Sequence, residues 1–362
     1  MPGGDGLILV DTESAVGHSL AQPISDGDGR LLLNAGTELT RGITAALERR
    51  GHFTVYVEDP NAEGIAPEEG VQQRTRDEAA ATVRQLFEGI NRGDRLPLEV
   101  MGTHVEAILA DLGQARSPLL ELATLRSVND YTYIHSANVC AYVLLLGTRL
   151  ELGADQLRDL GLGALLHDVG KVFCNDLCSK EGPLTPEEWE RVRRHPVDGY
   201  TMLRQYPEIP LFAAHIAYQH HERLDGSGYP RGLTSDRILP FAKIVGIADV
   251  FDAVTSDRSY ARAAPPHQAM SLLLAGAGVK FDAEMVRAFA ACLAVYPTGS
   301  LVLLSDNSVG VVSAQTEDPQ RPQVRVLGVG GKRLERPDEV QLRLSPELEV
   351  KAVLRRLPLW LQ

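Results

Sequence analysis

The apolar positions of this chain change period twice along its length. From Leu7 to about Glu58 they come in short runs set off by turn residues: Leu7-Ile8-Leu9-Val10, then Gly27-Asp28-Gly29-Arg30 ahead of Leu31-Leu32-Leu33, then Thr54-Val55-Tyr56-Val57. Such runs predict strands. Between them Thr40 to Arg50 predicts a short helix, with Thr40 placed to cap its N-terminus. Residues 1–60 therefore read as a small α+β module with no catalytic constellation. Asp59-Pro60-Asn61-Ala62-Glu63-Gly64 marks its end, and the Glu- and Gln-rich passage over 61–75 reads as a linker. From 76 to 297 the period becomes helical, with few β-branched runs. Thr185, Pro186 and Glu188 form a capping box, and the helix they start is expected to carry His195 at its far end, just before Pro196. Asp130 to Leu146 and Gln156 to Lys171 are expected as helices of a bundle interior. Over 298–362 the period returns to strands: Leu301-Val302-Leu303-Leu304, Gly310-Val311-Val312 and Gln323-Val324-Arg325-Val326-Leu327. The expected fold is mainly α, a helical catalytic region between a small α+β module and a small β-rich C-terminal subdomain.

Composition narrows the function classes. The 362 residues allow two or three domains. With 48 acidic against 36 basic residues the formal charge is -12, which argues against a partner as large as a nucleic-acid polymer while leaving room for a local basic pocket. Met1-Pro2-Gly3-Gly4-Asp5-Gly6 has no basic region followed by an apolar core, so no secretory signal is expected. The longest apolar stretch, Val139 to Leu146, falls far short of a membrane span. A cytoplasmic protein without a membrane partner is expected. Cys140, Cys174, Cys178 and Cys292 are too few for a disulfide framework and read as reduced structural thiols.

The histidines change the picture most. Of the ten, His135, His167, His195, His220 and His221 fall within roughly ninety residues, where even scatter would place about two or three. His18, His52, His104, His215 and His267 read as ordinary core or surface residues. Adjacent His167-Asp168 and adjacent His220-His221 in one helical domain are different, because imidazole nitrogens hold transition metals and a carboxylate can bridge two of them. The pattern predicts a metal-dependent hydrolase.

The order His135, His167-Asp168, His195, His220-His221, Asp249 resembles the HD-domain phosphohydrolases. Asp225-Gly226-Ser227-Gly228-Tyr229-Pro230, followed by Ile247-Ala248-Asp249-Val250-Phe251-Asp252-Ala253 and Ser256-Asp257-Arg258-Ser259-Tyr260, is similar to their HD-GYP subfamily, which hydrolyses cyclic di-GMP. The resemblance runs from about Asp130 to Ala294. It implies an HD-type bundle over 76–297 and hydrolysis of cyclic di-GMP to pGpG, with GMP as a further product left open. It also implies two divalent transition-metal ions, iron or manganese foremost. His135, His167, Asp168 and Asp249 would hold one, His195, His220 and His221 the other, with Asp168 bridging both. Two close cations need a shared anionic oxygen to offset their repulsion, which independently favours Asp168 as the bridge. In some members a Glu one helical turn before the first histidine holds a third metal; Tyr131 stands there in this chain, and Asp130 points about 100° away around the helix. Two metals are therefore expected.

The implied reaction is in-line attack on a phosphodiester phosphorus by a hydroxide bridging the two metals, with no protein nucleophile. Lys171 is expected to face the same pocket and supply positive charge to the developing trigonal-bipyramidal phosphate. Gly226, Gly228 and Pro230 are expected to form a tight loop that presents Tyr229 at the pocket mouth, to stack on or hydrogen-bond the dinucleotide. Gly228, Tyr229, Pro230 and Arg258 would be substrate contacts. A second basic residue expected three positions after Arg258 is Ala261 here, and Arg262 beside it is the substitute. Two competing readings are a cyclic di-GMP receptor with slow or no turnover and an HD-type hydrolase of another cyclic dinucleotide. A homodimer or a signalling-protein partner is compatible with either.

Overall fold

The computed structural model describes residues 6–25, 31–90, 92, 94, 96–115, 117, 119–121, 131–178, 180, 182–256, 263–358 and 360. The chain opens with β1 (Leu7–Asp11), β2 (Ile24–Ser25), β3 (Leu31–Leu33), α1 (Arg41–Arg49) and β4 (Thr54–Glu58). β1 pairs antiparallel with β4 in a register that sets Leu9 opposite Tyr56. Thr40 caps α1, its hydroxyl accepting from Ile43 N at 3.3 Å.

The helical region holds α2 (Gln73–Ile90), α3 (Leu98–Gln114), α4 (Tyr131–Arg149), α5 (Ala154–Leu166), a 3-10 turn (Val169–Cys174), α6 (Asn175–Cys178), α7 (Pro186–Val192), α8 (His195–Leu203), α9 (Leu211–Gln219), α10 (Pro240–Thr255), α11 (Pro266–Ala275) and α12 (Ala283–Ala290). α4 is its centre. Ala137, Val139, Cys140, Val143, Leu144 and Leu146 are wholly buried, and α4 packs against α2, α3, α5, α10 and α12. A helix apolar on nearly every side is what such an axial position requires.

Two expected helices end earlier than their sequence period suggested. The helix expected to run to Lys171 leaves α geometry after Leu166, so His167 is its C-cap and Asp168 opens the 3-10 turn. The cause is tertiary: α8 lies so close that a Cβ on Gly170 would run into His195 O and stand 2.6 Å from Gly199 N. The capping box at Thr185 forms, with Thr185 N accepted by the Glu188 carboxylate at 2.8 Å, but α7 stops at Val192. His195 is thus the first residue of α8 and not the last of α7. Pro196 has no N–H to give to the Val192 carbonyl four residues back, and that carbonyl instead accepts from His195 Nδ1 at 2.7 Å.

The C-terminal region is a five-stranded antiparallel sheet of β5 (Leu301–Leu304), β6 (Ser308–Ala314), β7 (Gln323–Val329), β8 (Lys332–Gln341) and β9 (Val350–Leu354), in the order β8-β7-β6-β5-β9. The three strands expected from apolar runs lie in its middle. β8 carries charge at most positions and Pro337, and it survives as an exposed edge strand through pairing with β7. The two ends of the chain meet in space. Ile8, Val10, Leu20, Leu39, Val55 and Val57 share one core with Leu301, Val311, Leu327 and Leu357. Leu9 N donates to Gly299 O at 2.9 Å and Asp11 N to Arg355 O at 2.7 Å. Among the described residues, no helix is long and apolar enough to cross a membrane.

Candidate metal centre

Five segments converge on Asp168. α4 brings His135; the end of α5 brings His167; α8 brings His195; the end of α9 brings His220 and His221; α10 brings Asp249. His135, His167, Asp168, His195 and His220 are at most 1% exposed. Asp168 Oδ2 lies 3.6 Å from His135 Nε2 and 3.3 Å from His167 Nε2, while its Oδ1 lies 3.3 Å from His195 Nε2 and 3.8 Å from His220 Nε2. One carboxylate therefore faces two histidine pairs with different oxygens. Asp249 sits across the site, Oδ1 3.1 Å from His135 Nε2 and Oδ2 3.6 Å from His221 Nδ1. Two groups of ligand atoms result, His135 with His167 and Asp249, and Asp168 with His195, His220 and His221, each within a 4.8 Å span.

The histidines are oriented for ligation by what holds their other nitrogen. His167 Nδ1 donates to Ala164 O at 2.7 Å, His195 Nδ1 to Val192 O at 2.7 Å and His220 Nδ1 to Ala217 O at 2.9 Å. A carbonyl only accepts, so each Nδ1 carries the proton and each Nε2 turns a lone pair inward. His135 Nδ1 donates to Asp252 Oδ2 at 2.8 Å, and Asn138 Nδ2 to Asp252 Oδ1 at 3.0 Å. These commitments leave inward-facing lone pairs that a cation would satisfy. His195 Nε2 and His220 Nε2 face each other at 3.2 Å. His167 Nε2 and Asp168 Oδ1 are buried with no hydrogen-bond partner among the described residues. The residues therefore fit a pair of divalent metals, the cofactor class of HD-domain phosphohydrolases.

The charge states of His195, His220, His221, Asp168 and Asp249 agree with that fit. Burial lowers the His195 imidazole to about 4. Burial, reinforced by neighbouring imidazoles, holds His220 and His221 well below the ordinary range. Neutral imidazole is the ligating form. At Asp168 burial opposes ionisation, but the Lys171 ammonium and His167 outweigh it and hold the carboxyl well below the usual carboxylate range. Asp249 is held low in the same way, burial being overcome chiefly by the hydrogen bond from His135. Lys171, three residues after Asp168 in the 3-10 turn, donates from Nζ to Asp168 Oδ2.

The Gly-Tyr-Pro loop packs directly on the cluster. Asp225 Oδ1 accepts from Ser227 N at 3.0 Å, and buried Glu222 accepts from Arg231 N and Leu233 N, both at 2.8 Å. A Cβ on Gly228 would stand 2.5 Å from Glu222 Cα and His221 O, so only glycine lets the loop lie this close to the ligand histidines. The Tyr229–Pro230 peptide is cis. The Tyr229 ring stacks on His221, centroids 4.6 Å apart, and the Arg193 guanidinium lies 4.7 Å over the same ring. Tyr229 is thus already engaged with a ligand histidine and an arginine.

All seven sequence-derived ligand candidates, with Lys171, Gly228, Tyr229 and Pro230, are brought together. Arg258 and Arg262, like Asp130, lie outside the described residues. Sequence reasoning assigned no role to Asp252, Asn138 or Arg193. Asp252 and Asn138 carried a signal, each standing three residues after a ligand candidate on the same helix, but Arg193 carried none.

Residues 114–285 match the HD domain family. The chain is 34% identical over 264 residues to the cyclic di-GMP phosphodiesterase PA4108 of Pseudomonas aeruginosa, covering 72% of this chain and 64% of that protein. It is 40% identical over 146 residues to the cyclic di-GMP phosphodiesterase response regulator RpfG of Xanthomonas campestris, covering 40% of this chain and 39% of the relative. It is 33% identical over 207 residues to the 3′3′-cGAMP-specific phosphodiesterase 3 of Vibrio cholerae, covering 56% and 42%. The chain spans less than two thirds of the length of each of these relatives. With its His-Asp centre and its Gly-Tyr-Pro loop, the chain carries an HD domain over residues 114–285 and is similar to cyclic di-GMP phosphodiesterases.

Proposed function

We propose that this protein is a metal-dependent cyclic di-GMP phosphodiesterase that linearises its substrate to pGpG, acting in the cytoplasm with two iron or manganese ions. The observation that carries the reading is the division of six inward-facing ligands into two groups around Asp168. Divalent cations bound there would lower the pKa of a water and set positive charge against the phosphate. The chain's own residues do the rest. The Nδ1 anchors hold the imidazoles aimed, and burial keeps His195, His220 and His221 neutral and excludes bulk water. With Asp168 committed to cations, the Lys171 ammonium is placed to turn to a phosphate oxygen and stabilise its developing charge. Arg193, over Tyr229 at the edge of the site, adds a second cation for an anionic substrate.

The similarity to the 3′3′-cGAMP-specific phosphodiesterase 3 of Vibrio cholerae favours a second reading in which the hybrid dinucleotide is the substrate. The test is metal analysis of anaerobically purified protein, with chromatography of products from cyclic di-GMP and 3′3′-cGAMP in separate and mixed reactions. Two metals per chain and preferential formation of pGpG are expected. Preference for 3′3′-cGAMP would install the second reading. Tight cyclic di-GMP binding by fully metallated protein without linear product would make it a receptor.

A further inference from the structure

Two thiols lie against each other at the foot of the turn that carries Lys171. Cys174 closes the 3-10 turn (Val169–Cys174), and Cys178 closes α6 (Asn175–Cys178) four residues on. Side chains four apart on a helix are neighbours, and here the two Sγ atoms stand 4.0 Å apart. Both are free thiols. A disulfide of about 2.05 Å requires each sulfur to move by about 1 Å. α6 can give that much, being a single turn in which only Leu177 is buried. Its ion pair to α7, Asp176 with Arg191 at 3.3 Å, is exposed and holds it weakly.

The other two cysteines are placed differently. Cys140 is wholly buried and its Sγ donates to Gly161 O at 3.6 Å, while Cys292 Sγ donates to Ala288 O at 3.1 Å. Each is engaged with a backbone carbonyl and not with a second sulfur. Within the facing pair the roles divide by exposure, since Cys174 is only 3% exposed and Cys178 is partly open to solvent. The hydrogen bond from Cys174, aided by the Lys171 ammonium against burial, holds the Cys178 thiol below its ordinary range. The thiolate is the reactive form of cysteine.

We propose that Cys174 and Cys178 are a reversible oxidation site, at which hydrogen peroxide converts the two thiols to a disulfide. The Cys178 sulfur attacks the peroxide: an S–O bond forms, the O–O bond breaks, and one water leaves with the thiol proton, giving a sulfenic acid. The Cys174 sulfur then attacks the sulfenic sulfur. An S–S bond forms, the S–O bond breaks, and a second water leaves with the Cys174 proton. The two sulfurs together lose two electrons, and one peroxide is reduced to two waters. The new bond clasps the end of the turn whose other end holds Lys171 on Asp168. Neither metal nor substrate enters the step, so its test is independent of the hydrolase reading.

Trypsin releases both cysteines on one peptide, residues 172–180. The reduced full chain is exposed to hydrogen peroxide, quenched with catalase, alkylated with iodoacetamide, digested and read by mass spectrometry, with a second sample reduced by dithiothreitol before alkylation. The expected product is the unalkylated peptide lighter by two hydrogen atoms, which dithiothreitol returns to the doubly alkylated form. It should appear about tenfold or more faster than any oxidation of Cys140 or Cys292. Cys174→Ser, which leaves Cys178 without its partner, should accumulate a sulfenic acid at Cys178 that dimedone captures. Absence of the bridged peptide, with the thiols either intact or oxidised beyond sulfenic acid, would overturn the proposal. So would oxidation of Cys140 or Cys292 at the same rate, or a folded Cys174→Ser protein with no dimedone adduct at Cys178. The wild-type comparison decides by itself if that variant does not fold.

Discussion

Asp252→Asn should cost metal affinity without touching a ligand. Three donors converge on this wholly buried carboxylate: His135 Nδ1 at 2.8 Å and Ser256 Oγ at 3.2 Å on Oδ2, and Asn138 Nδ2 at 3.0 Å on Oδ1. An amide offers one oxygen and one NH2. Whichever way it lies, either His135 or Asn138 is left pointing at a donor. In the first case His135 must move its proton to Nε2 and lose the lone pair that faces Asp168 and Asp249; in the second a buried amide goes unpaired at a cost of about 1–3 kcal/mol. Loss of such a supporting partner typically lowers metal affinity about 10- to 100-fold, or about 1.4–2.8 kcal/mol. The site of His135, His167 and Asp249 should weaken by that factor and the site of His195, His220 and His221 should not. Calorimetric titration of demetallated protein with Mn2+, with circular dichroism to show an intact fold, resolves the two. Two sites that both stay within twofold of wild type would refute the argument that Asp252 orients His135.

Lys171→Ala should keep both metals by elemental analysis while turnover falls roughly ten- to a thousandfold, because one charge stabiliser of the phosphoryl transition state is gone; an unchanged rate would make the lysine a partner of Asp168 only. Tyr229→Ala removes a ring stacked on His221, so hydrolysis of cyclic di-GMP and of bis-p-nitrophenyl phosphate should fall together, with weaker metal retention. A loss confined to the dinucleotide would mean that the ring acts on a base and not on the ligand histidine. Glu121→Gln tests a pH dependence. Burial raises the Glu121 carboxyl from 4.5 to about 7, so its contribution to stability is complete below 4.5 and is lost as pH rises through 7. The Tm of the variant relative to wild type should therefore climb between those limits, by the equivalent of about 3 kcal/mol at most. A constant difference would contradict it.

Much of the site was legible because its chemistry is written in adjacent residues. His167-Asp168 and His220-His221 announce ligands whatever the fold, and the short apolar runs at Leu7, Thr54 and Leu301, set off by turn residues, announce strands. Local signals also set the Thr185 cap, and Pro196 held the information that α7 must end before it, since a proline cannot satisfy the carbonyl of Val192. Other features exist only once distant segments meet. α5 stops at Leu166 because α8 presses on Gly170, which no periodicity within α5 reveals. β8 has no apolar alternation and becomes a strand because β7 offers it unpaired backbone groups. Leu9 and Gly299 lie at opposite ends of the sequence and share a hydrogen bond, because each end leaves an apolar face that neither can bury alone. The sequence by itself determined which atoms could bind metal; the tertiary structure decided which of them share Asp168, because only packing brings five segments within ligand distance of one carboxylate.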